Sequence, residues 1–201
     1  RQEMISSDTL PTPDERLHLF ETARALFLAE GYVEIGIDHF ARKGDGLDVA
    51  ARSGQLRRNF QGYTDDLAPA LVGIGASSIS RFPQGYAQNA PATSAHVKAI
   101  REGRFSVVRG HAFTDEDRLR ARLIEALMCD FRIDTKAILE GFAVSPARLA
   151  TLFEQSAAPF GDMVQVTADG FQIVPEGRPL TWMIWPGSLP RAPMSDTPRL
   201  G

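Results

Sequence analysis

The sequence has 201 residues, of which 43% are hydrophobic and 23% charged, and it is long enough for one large or two small globular domains. Its 22 basic and 25 acidic residues give a formal charge of −3, so it lacks the basic excess expected of a protein that binds nucleic acid or an anionic membrane. A single cysteine, Cys129, excludes a disulfide framework and any cysteine-built zinc or iron–sulfur site within this chain.

The first predicted helix begins after Thr12. Thr12 and Glu15 have the spacing of a capping box around Pro13, and Gly31 marks the end of the helix. Apolar residues recur between these ends at helical spacing, at Leu19, Phe20, Ala23 and Phe27.

A strand is predicted next, over residues 32–40. Val33, Ile35 and Ile37 alternate with Glu34, Gly36 and Asp38. A helix followed by a strand is typical of a parallel α/β sheet or barrel, whose sites lie beyond the carboxyl ends of the strands. Asp38 and His39 fall at that end, where they either contact a substrate or cofactor or form a hydrogen-bonded pair that closes the strand.

The chain up to Ala112 continues with short elements. A helix is predicted from Gly46 to Ser53, a second from Ala92 to Glu102 and a strand from Phe105 to Arg109. Between them, Gly73 and Gly75 permit close approach of the backbone to a neighbouring strand or to a ligand.

After Ala112 the pattern becomes mostly helical. Three helix starts are predicted at Thr114, Asp134 and Ser145, and a β-hairpin follows around Ala168–Gly170. Three helices and a hairpin are the outline of a winged-helix domain. We therefore expect two domains, at residues 1–112 and 113–201.

Five segments of the chain are distinctive: Gly-Ile-Asp-His-Phe-Ala-Arg (Gly36 to Arg42), Arg-Asn-Phe-Gln-Gly-Tyr-Thr (Arg58 to Thr64), Gly-Ile-Gly-Ala-Ser-Ser-Ile-Ser (Gly73 to Ser80), Gln-Gly-Tyr-Ala-Gln-Asn (Gln84 to Asn89) and Leu-Met-Cys-Asp-Phe (Leu127 to Phe131). In their order, spacing and identity, they resemble the oxygen-independent coproporphyrinogen III oxidases. The resemblance extends from about Leu17 to about Val174, which is most of the chain.

The resemblance implies a mixed α/β to α+β fold: the carboxyl-terminal part of a radical S-adenosylmethionine (β/α) partial barrel, followed by a mostly helical, winged-helix-like cap domain. It implies S-adenosylmethionine and a [4Fe–4S] cluster in the complete enzyme, which converts two propionates of coproporphyrinogen III to vinyl groups and gives protoporphyrinogen IX. The family's Cys-x3-Cys-x2-Cys cluster loop is missing here. We therefore expect a carboxyl-terminal portion that needs an amino-terminal barrel segment as its partner and is inactive alone.

The resemblance also implies site residues. Phe60, Gln61 and Ile79 match positions near the cofactor, and an aromatic face beside an amide suits an adenosine. Asp38 and His39 are candidate substrate contacts because they lie at the end of the predicted strand. Arg57 and Arg58 are candidates because arginine binds carboxylates through paired hydrogen bonds. We expect no catalytic residue and no metal ligand in this chain. Without the resemblance, the periodicity favours a surface turn with Phe60 tucked into the core, and it favours Ile79 as a core residue.

Two alternatives remain. A winged-helix module that binds nucleic acid needs a basic recognition helix, and the third helix offers only Arg148 in an acidic domain. A haem chaperone of the same superfamily generally has other residues in place of Ile-Asp-His-Phe-Ala-Arg and lacks Asn-Phe-Gln-Gly-Tyr, whereas both segments are present here. We therefore favour the oxidase, with a cytoplasmic location and with no nucleic acid or membrane as partner.

Overall fold

A computed structural model of the chain describes residues 9–184. The chain divides into two compact units, residues 1–65 and residues 66–201. The predicted boundary between residues 112 and 113 lies within the second unit and stays a prediction, and the outer ends of both predicted domains, 1–8 and 185–201, lie outside the described residues. No helix within residues 9–184 is both long and apolar enough to cross a membrane.

The first unit contains two helices and two antiparallel hairpins. Its elements are α1 (Pro13–Ala29), β1 (Tyr32–Ile35), β2 (His39–Arg42), α2 (Gly46–Arg52), β3 (Arg57–Asn59) and β4 (Gly62–Thr64). β1 pairs with β2, and β3 pairs with β4. The side chains of Ile35, Leu56 and Tyr63 form the centre of its small core.

Helix α1 begins as the sequence predicts. The Thr12 hydroxyl accepts the Glu15 N–H and the Glu15 carboxylate accepts the Thr12 N–H, which completes the capping box. Although α1 has 17 residues, none of them is buried. Its large apolar side chains are exposed, at Leu17, Leu19, Leu26, Phe27 and Leu28.

The single strand predicted over residues 32–40 is wrong, because the chain reverses within it. Gly36 adopts a φ of +57°, in the left-handed region that favours glycine, and Ile35 then pairs with His39 across an antiparallel hairpin. Asp38 therefore lies in the turn, and His39 is the first residue of β2 and not the end of a longer strand.

The second unit opens with a three-stranded antiparallel sheet in the order β5-β6-β7, formed by β5 (Ile79–Phe82), β6 (Gly85–Asn89) and β7 (Val107–Ala112). Helix α3 (Thr93–Arg101) connects β6 to β7. Strand β7 starts two residues later than the strand predicted from Phe105 to Arg109. Every residue of β7 is exposed.

The rest of the second unit combines helices with a second sheet. Its main elements are α4 (Asp115–Asp130), β8 (Arg132–Asp134), α5 (Thr135–Gly141), α6 (Pro146–Ala157), β9 (Val164–Thr167), β10 (Gly170–Ile173) and α7 (Thr181–Ile184). The side chains of Thr114, Asp134 and Ser145 cap α4, α5 and α6, which confirms the three predicted helix starts. The predicted hairpin is β9–β10, and β8, which the sequence reading missed, pairs with the outer side of β10.

The fold is thus mixed α and β. All strand pairs in the part of the chain that the structure describes are antiparallel. The parallel pairing suggested by the helix–strand order is not among them. The chain turns back at Gly36, and β1 pairs with β2 in an antiparallel hairpin.

Candidate functional site

Two turns of the first unit carry most of the candidate residues. The turn between β1 and β2 carries Asp38 and leads into His39. The turn between β3 and β4 carries Phe60 and Gln61 at its tip. The Asn59 side-chain oxygen accepts the N–H of Gln61 at 2.7 Å, which fixes this second turn from within.

Tyr63 connects the two turns. Its hydroxyl accepts the backbone N–H of Ile37 at 3.0 Å, and its ring stands edge-on to the His39 imidazole with 4.9 Å between the ring centres. A Cβ atom on Gly36 would lie 2.1 Å from the Tyr63 hydroxyl oxygen, so the backbone of the first turn rests directly on the phenol. The two segments that carry the family resemblance are therefore in contact.

Asp38 and His39 form a pair in this contact region. The Asp38 carboxylate lies 2.8 Å from Nδ1 of the imidazole, and about half of each side chain is exposed to solvent. A carboxylate can only accept a hydrogen bond, so Nδ1 carries a proton in this arrangement. Nε2 is then the nitrogen that either accepts a hydrogen bond or, in the imidazolium, donates one to an anion.

The two candidate arginines lie on opposite faces of β3. Arg58 pairs with Tyr63 across the hairpin, and its guanidinium carbon lies 5.0 Å from the centre of the tyrosine ring. Arg57 follows the alternation of a strand to the other face, where its guanidinium donates to the Leu56 carbonyl. The structure therefore brings Arg58, but not Arg57, to the Tyr63–His39 face.

Phe60 and Gln61 remain accessible at the tip of their turn. The Phe60 ring is 48% exposed, and Gln61 is exposed as well. The alternative that Phe60 is tucked into the core is therefore wrong for this chain. An accessible aromatic face beside an amide is suited to contact a planar or polar ligand.

Ile79 lies in the second unit, at the start of β5, opposite Gln88 of β6. It is 36% exposed, so it is not a core residue of that unit as described here. A Cβ atom on Gly73 would lie 2.7 Å from the Ile79 carbonyl oxygen. The close approach that the sequence predicts at Gly73 is thus to the neighbouring backbone of this chain.

The residues present do not fit an iron–sulfur cluster. Three thiolates are needed for the loop that the resemblance implies, and the sequence has one cysteine, which is buried. Within residues 9–184 no group of three or more His, Cys, Asp or Glu side chains could hold a metal ion. Any cluster must be supplied by other polypeptide.

A groove of about 690 Å³ lies between α1 and the β1–β2 hairpin. It is lined by Ala23, Leu26, Phe27, Glu30, Gly31, Tyr32 and Arg42 and includes none of the candidate site residues. The Tyr32 hydroxyl accepts a hydrogen bond from Arg42 at its edge, and this contact raises the pKa of the arginine.

Helix α6 does not have the character of a nucleic-acid recognition helix. Its arginine, Arg148, forms an ion pair with Glu116 of α4 at 2.6 Å. A guanidinium held by a carboxylate offers less net positive charge to phosphates.

Sequence reasoning gave Tyr63 no role, although it lies inside one of the segments quoted for the resemblance. The sequence signal that pointed to Tyr63 was its position, since Gly62 and Tyr63 directly follow the predicted cofactor residues. Its partner, Ile37, is 26 positions away along the chain, which no local pattern reports.

Comparison with known proteins places these features in one class. No family model matches the chain. A solved structure covers 90% of the chain with a TM-score of 0.83 and 35% identity; it is the coproporphyrinogen III oxidase of Escherichia coli, described as a radical SAM enzyme. The chain covers 42% of that structure. The fold of this chain is therefore that of part of a radical SAM enzyme.

Curated relatives give the particular family. The chain is 64% identical over 184 residues to the oxygen-independent coproporphyrinogen III oxidase of Paracoccus denitrificans. The aligned residues make up 92% of this chain and 41% of the relative. The corresponding protein of Cereibacter sphaeroides is 58% identical with the same coverage. The resemblance is confirmed: the chain is homologous to the carboxyl-terminal part of oxygen-independent coproporphyrinogen III oxidases. It spans about two fifths of their length.

Proposed function

We propose that this chain is the carboxyl-terminal portion of an oxygen-independent coproporphyrinogen III oxidase. The complete protein then decarboxylates two propionates of coproporphyrinogen III oxidatively, giving the vinyl groups of protoporphyrinogen IX, in the cytoplasm. The observation that carries the proposal is 64% identity to such an oxidase over 92% of the chain. The chain alone is inactive, because it cannot supply the thiolates of a cluster.

We also propose that residues 1–112 complete a (β/α) partial barrel with its connecting region and that residues 113–201 form a winged-helix-like cap. The arrangement of α4, α5 and α6 with the β9–β10 hairpin supports the cap. The exposed leucines of α1 support the barrel, since large apolar side chains are normally buried against another element. The amino-terminal barrel segment, which the relatives' greater length provides, is the partner that covers these side chains.

The cofactors of the complete enzyme are S-adenosylmethionine and a [4Fe–4S] cluster. Together they supply a radical that removes a hydrogen atom from the propionate side chain. Phe60, Gln61 and Ile79 are the residues of this chain that we propose to contact S-adenosylmethionine. Their accessibility supports this role, since all three side chains are exposed.

For the substrate, we propose that His39 and Arg58 hold a propionate carboxylate. Both lie on the face organised by Tyr63, and Asp38 orients the imidazole through its Nδ1 atom. An imidazolium and a guanidinium each donate charge-assisted hydrogen bonds to a carboxylate. Arg57 is the weaker substrate candidate, because it lies on the opposite face of β3.

The proposal is tested in the complete enzyme by replacing Gln61 with alanine. Loss of one hydrogen bond to the bound cofactor corresponds to a roughly two- to tenfold lower rate of vinyl formation. Porphyrin products are separated by chromatography after incubation under anaerobic, reducing conditions. Gln55→Ala is the matched control, since Gln55 is exposed before β3 and away from the turn, and we expect it to leave the rate unchanged.

An unchanged rate in the Gln61→Ala enzyme contradicts the role of Gln61. If the complete wild-type protein binds haem stoichiometrically and forms no vinyl product, the assignment as an oxidase is wrong and the haem chaperone replaces it.

A further inference from the structure

We propose that Tyr63 is a positioning residue that holds the Asp38–His39 pair beside the Phe60–Gln61 turn. Its hydroxyl fixes the backbone at Ile37, one residue before Asp38, at 3.0 Å. That the positioned imidazole binds a substrate carboxylate rests on the proposed function. The positioning itself rests only on the geometry of the first unit.

The packing around Gly36 shows how tightly the phenol is held. A Cβ atom at Gly36 would lie 2.1 Å from both Cζ and the hydroxyl oxygen of Tyr63, well inside any real contact distance. Gly36 also has a φ of +57°, which a residue with a side chain rarely adopts. The β1–β2 turn can therefore rest on the phenol only because residue 36 is glycine.

The imidazole of His39 is fixed from three sides. Asp38 binds Nδ1 at 2.8 Å, and the Tyr63 ring packs edge-on against the imidazole. On the third side, a Cβ atom at Gly62 would lie 3.3 Å from Nε2, so Nε2 faces the backbone directly after Gln61. The nitrogen that remains for a ligand is thus next to the proposed cofactor turn.

The hydroxyl has a function in this arrangement that the ring cannot perform. The ring of a phenylalanine would keep the contacts with His39 and with the Arg58 guanidinium. Only the hydroxyl accepts the Ile37 N–H, and that N–H belongs to the turn that carries Asp38. Removing the oxygen frees this turn, so the Asp38 carboxylate no longer stays in register with Nδ1.

The experiment compares Tyr63→Phe with Tyr32→Phe in the 201-residue chain. Tyr32 lies at the other end of the same hairpin, where its hydroxyl accepts a hydrogen bond from Arg42 and does not touch the turn. For Tyr63→Phe we expect faster amide hydrogen exchange at Ile37, by roughly two- to tenfold. We also expect the ¹⁵N shifts of His39 at a pH where the imidazole is neutral to report a mixture of tautomers in place of the Nδ1–H form.

In Tyr32→Phe, both signals should match those of the wild-type chain. If His39 keeps the wild-type ¹⁵N shifts in Tyr63→Phe while Ile37 exchanges faster, Tyr63 is merely structural and the proposal is overturned. It is also overturned if both variants change His39 equally, because the effect then belongs to the hairpin as a whole.

Kinetics in the complete enzyme separate this inference from the proposed function. Tyr63→Phe should raise the KM for coproporphyrinogen III by roughly two- to tenfold and leave kcat nearly unchanged, as expected when ground-state binding is weakened. If the wild-type enzyme forms no vinyl product, the proposed function fails, and the ¹⁵N and exchange measurements still decide the role of Tyr63.

Discussion

At the scale of single residues, Asp48 shows how a buried charge is accommodated in the first unit. Its carboxylate accepts the N–H of Gly44 at 2.6 Å and a hydrogen bond from Arg52 at 2.7 Å. The Gly44 hydrogen bond, followed by the Arg52 contacts, lowers the pKa of Asp48. A charged side chain is buried here because both of its contacts favour the ionised form.

We expect Asp48→Asn to destabilise the chain at neutral pH. A lowered folded-state pKa means that the stability Asp48 adds is fully present above its unfolded pKa, about 3.9, and is lost as the pH falls through the folded-state pKa. Denaturant unfolding at pH 7, 5 and 3 should therefore show a difference from wild type that shrinks toward acid. A difference that grows on acidification would contradict this assignment.

Asp45→Asn is the matched control. Asp45 is exposed and caps α2 by accepting the Leu47 N–H, and asparagine is an equally good N-cap. Its unfolding should stay close to that of wild type at each pH.

At this scale the sequence names candidate residues but not the contacts between them. Phe60 and Gln61 are candidates because they match family positions, and Asp38 and His39 are candidates because they lie at the end of the predicted strand. The contact between the two turns does not follow from the sequence, since the alternation of apolar residues continues across Gly36 and predicts one strand there. A φ of +57° at a single glycine redirected the chain.

At the scale of elements, α1 and α4 begin in the same way and end in different surroundings. Both have capping boxes, at Thr12–Glu15 and Thr114–Asp117, and both were predicted from the sequence. Yet α4 buries five residues and α1 buries none. Capping is decided within one turn of helix, whereas burial depends on which element packs against the helix.

A pair of matched substitutions measures this difference. Leu123 of α4 is fully buried, whereas Leu19 of α1 is 58% exposed. We expect Leu123→Ala to lower the free energy of unfolding by about 2–5 kcal/mol. Leu19→Ala should change it by less than about 0.5 kcal/mol, since the side chain is solvated. Denaturant unfolding followed by circular dichroism gives both values, and equal losses would mean that α1 is packed within this chain.

The capping interaction of α4 gives a further prediction at this scale. The Thr114 hydroxyl accepts the Asp117 N–H, and the Asp117 carboxylate accepts the Thr114 N–H at 2.9 Å. The Thr114 hydroxyl also donates to the Asp117 carboxylate at 2.7 Å, and this hydrogen bond, followed by the one from the Thr114 N–H, lowers the pKa of Asp117. Thr114→Ala should cost about 0.5–2 kcal/mol by denaturant unfolding, whereas Thr114→Ser, which keeps the hydroxyl, should cost far less.

At the scale of the whole molecule, exposed apolar surface is the main feature of the described residues. It includes the α1 leucines and, in the second unit, Phe105, Val107 and Val108, with Phe105 92% exposed. Large exposed apolar side chains often mark an interface. Since the chain spans about two fifths of its relatives' length, we assign the exposed apolar side chains of α1 to contact with the proposed barrel segment.

Hydroxyl-radical labelling tests this assignment. Phe27 is 41% exposed at the groove beside α1 and should be labelled strongly in the 201-residue chain. In the complete enzyme it should be labelled several-fold less, because the barrel segment covers it. Equal labelling of Phe27 in the two proteins would contradict this assignment.

The sequence by itself determined the local elements and the resemblance to the oxidases. Caps at Thr12, Thr114, Asp134 and Ser145 set four helix starts, because a cap needs only residues within one turn. Only the tertiary structure decided that α1 stays exposed and that Tyr63 reaches Ile37. Burial and long-range hydrogen bonds depend on how distant segments pack, and at Gly36 that packing reversed the strand predicted from alternation alone.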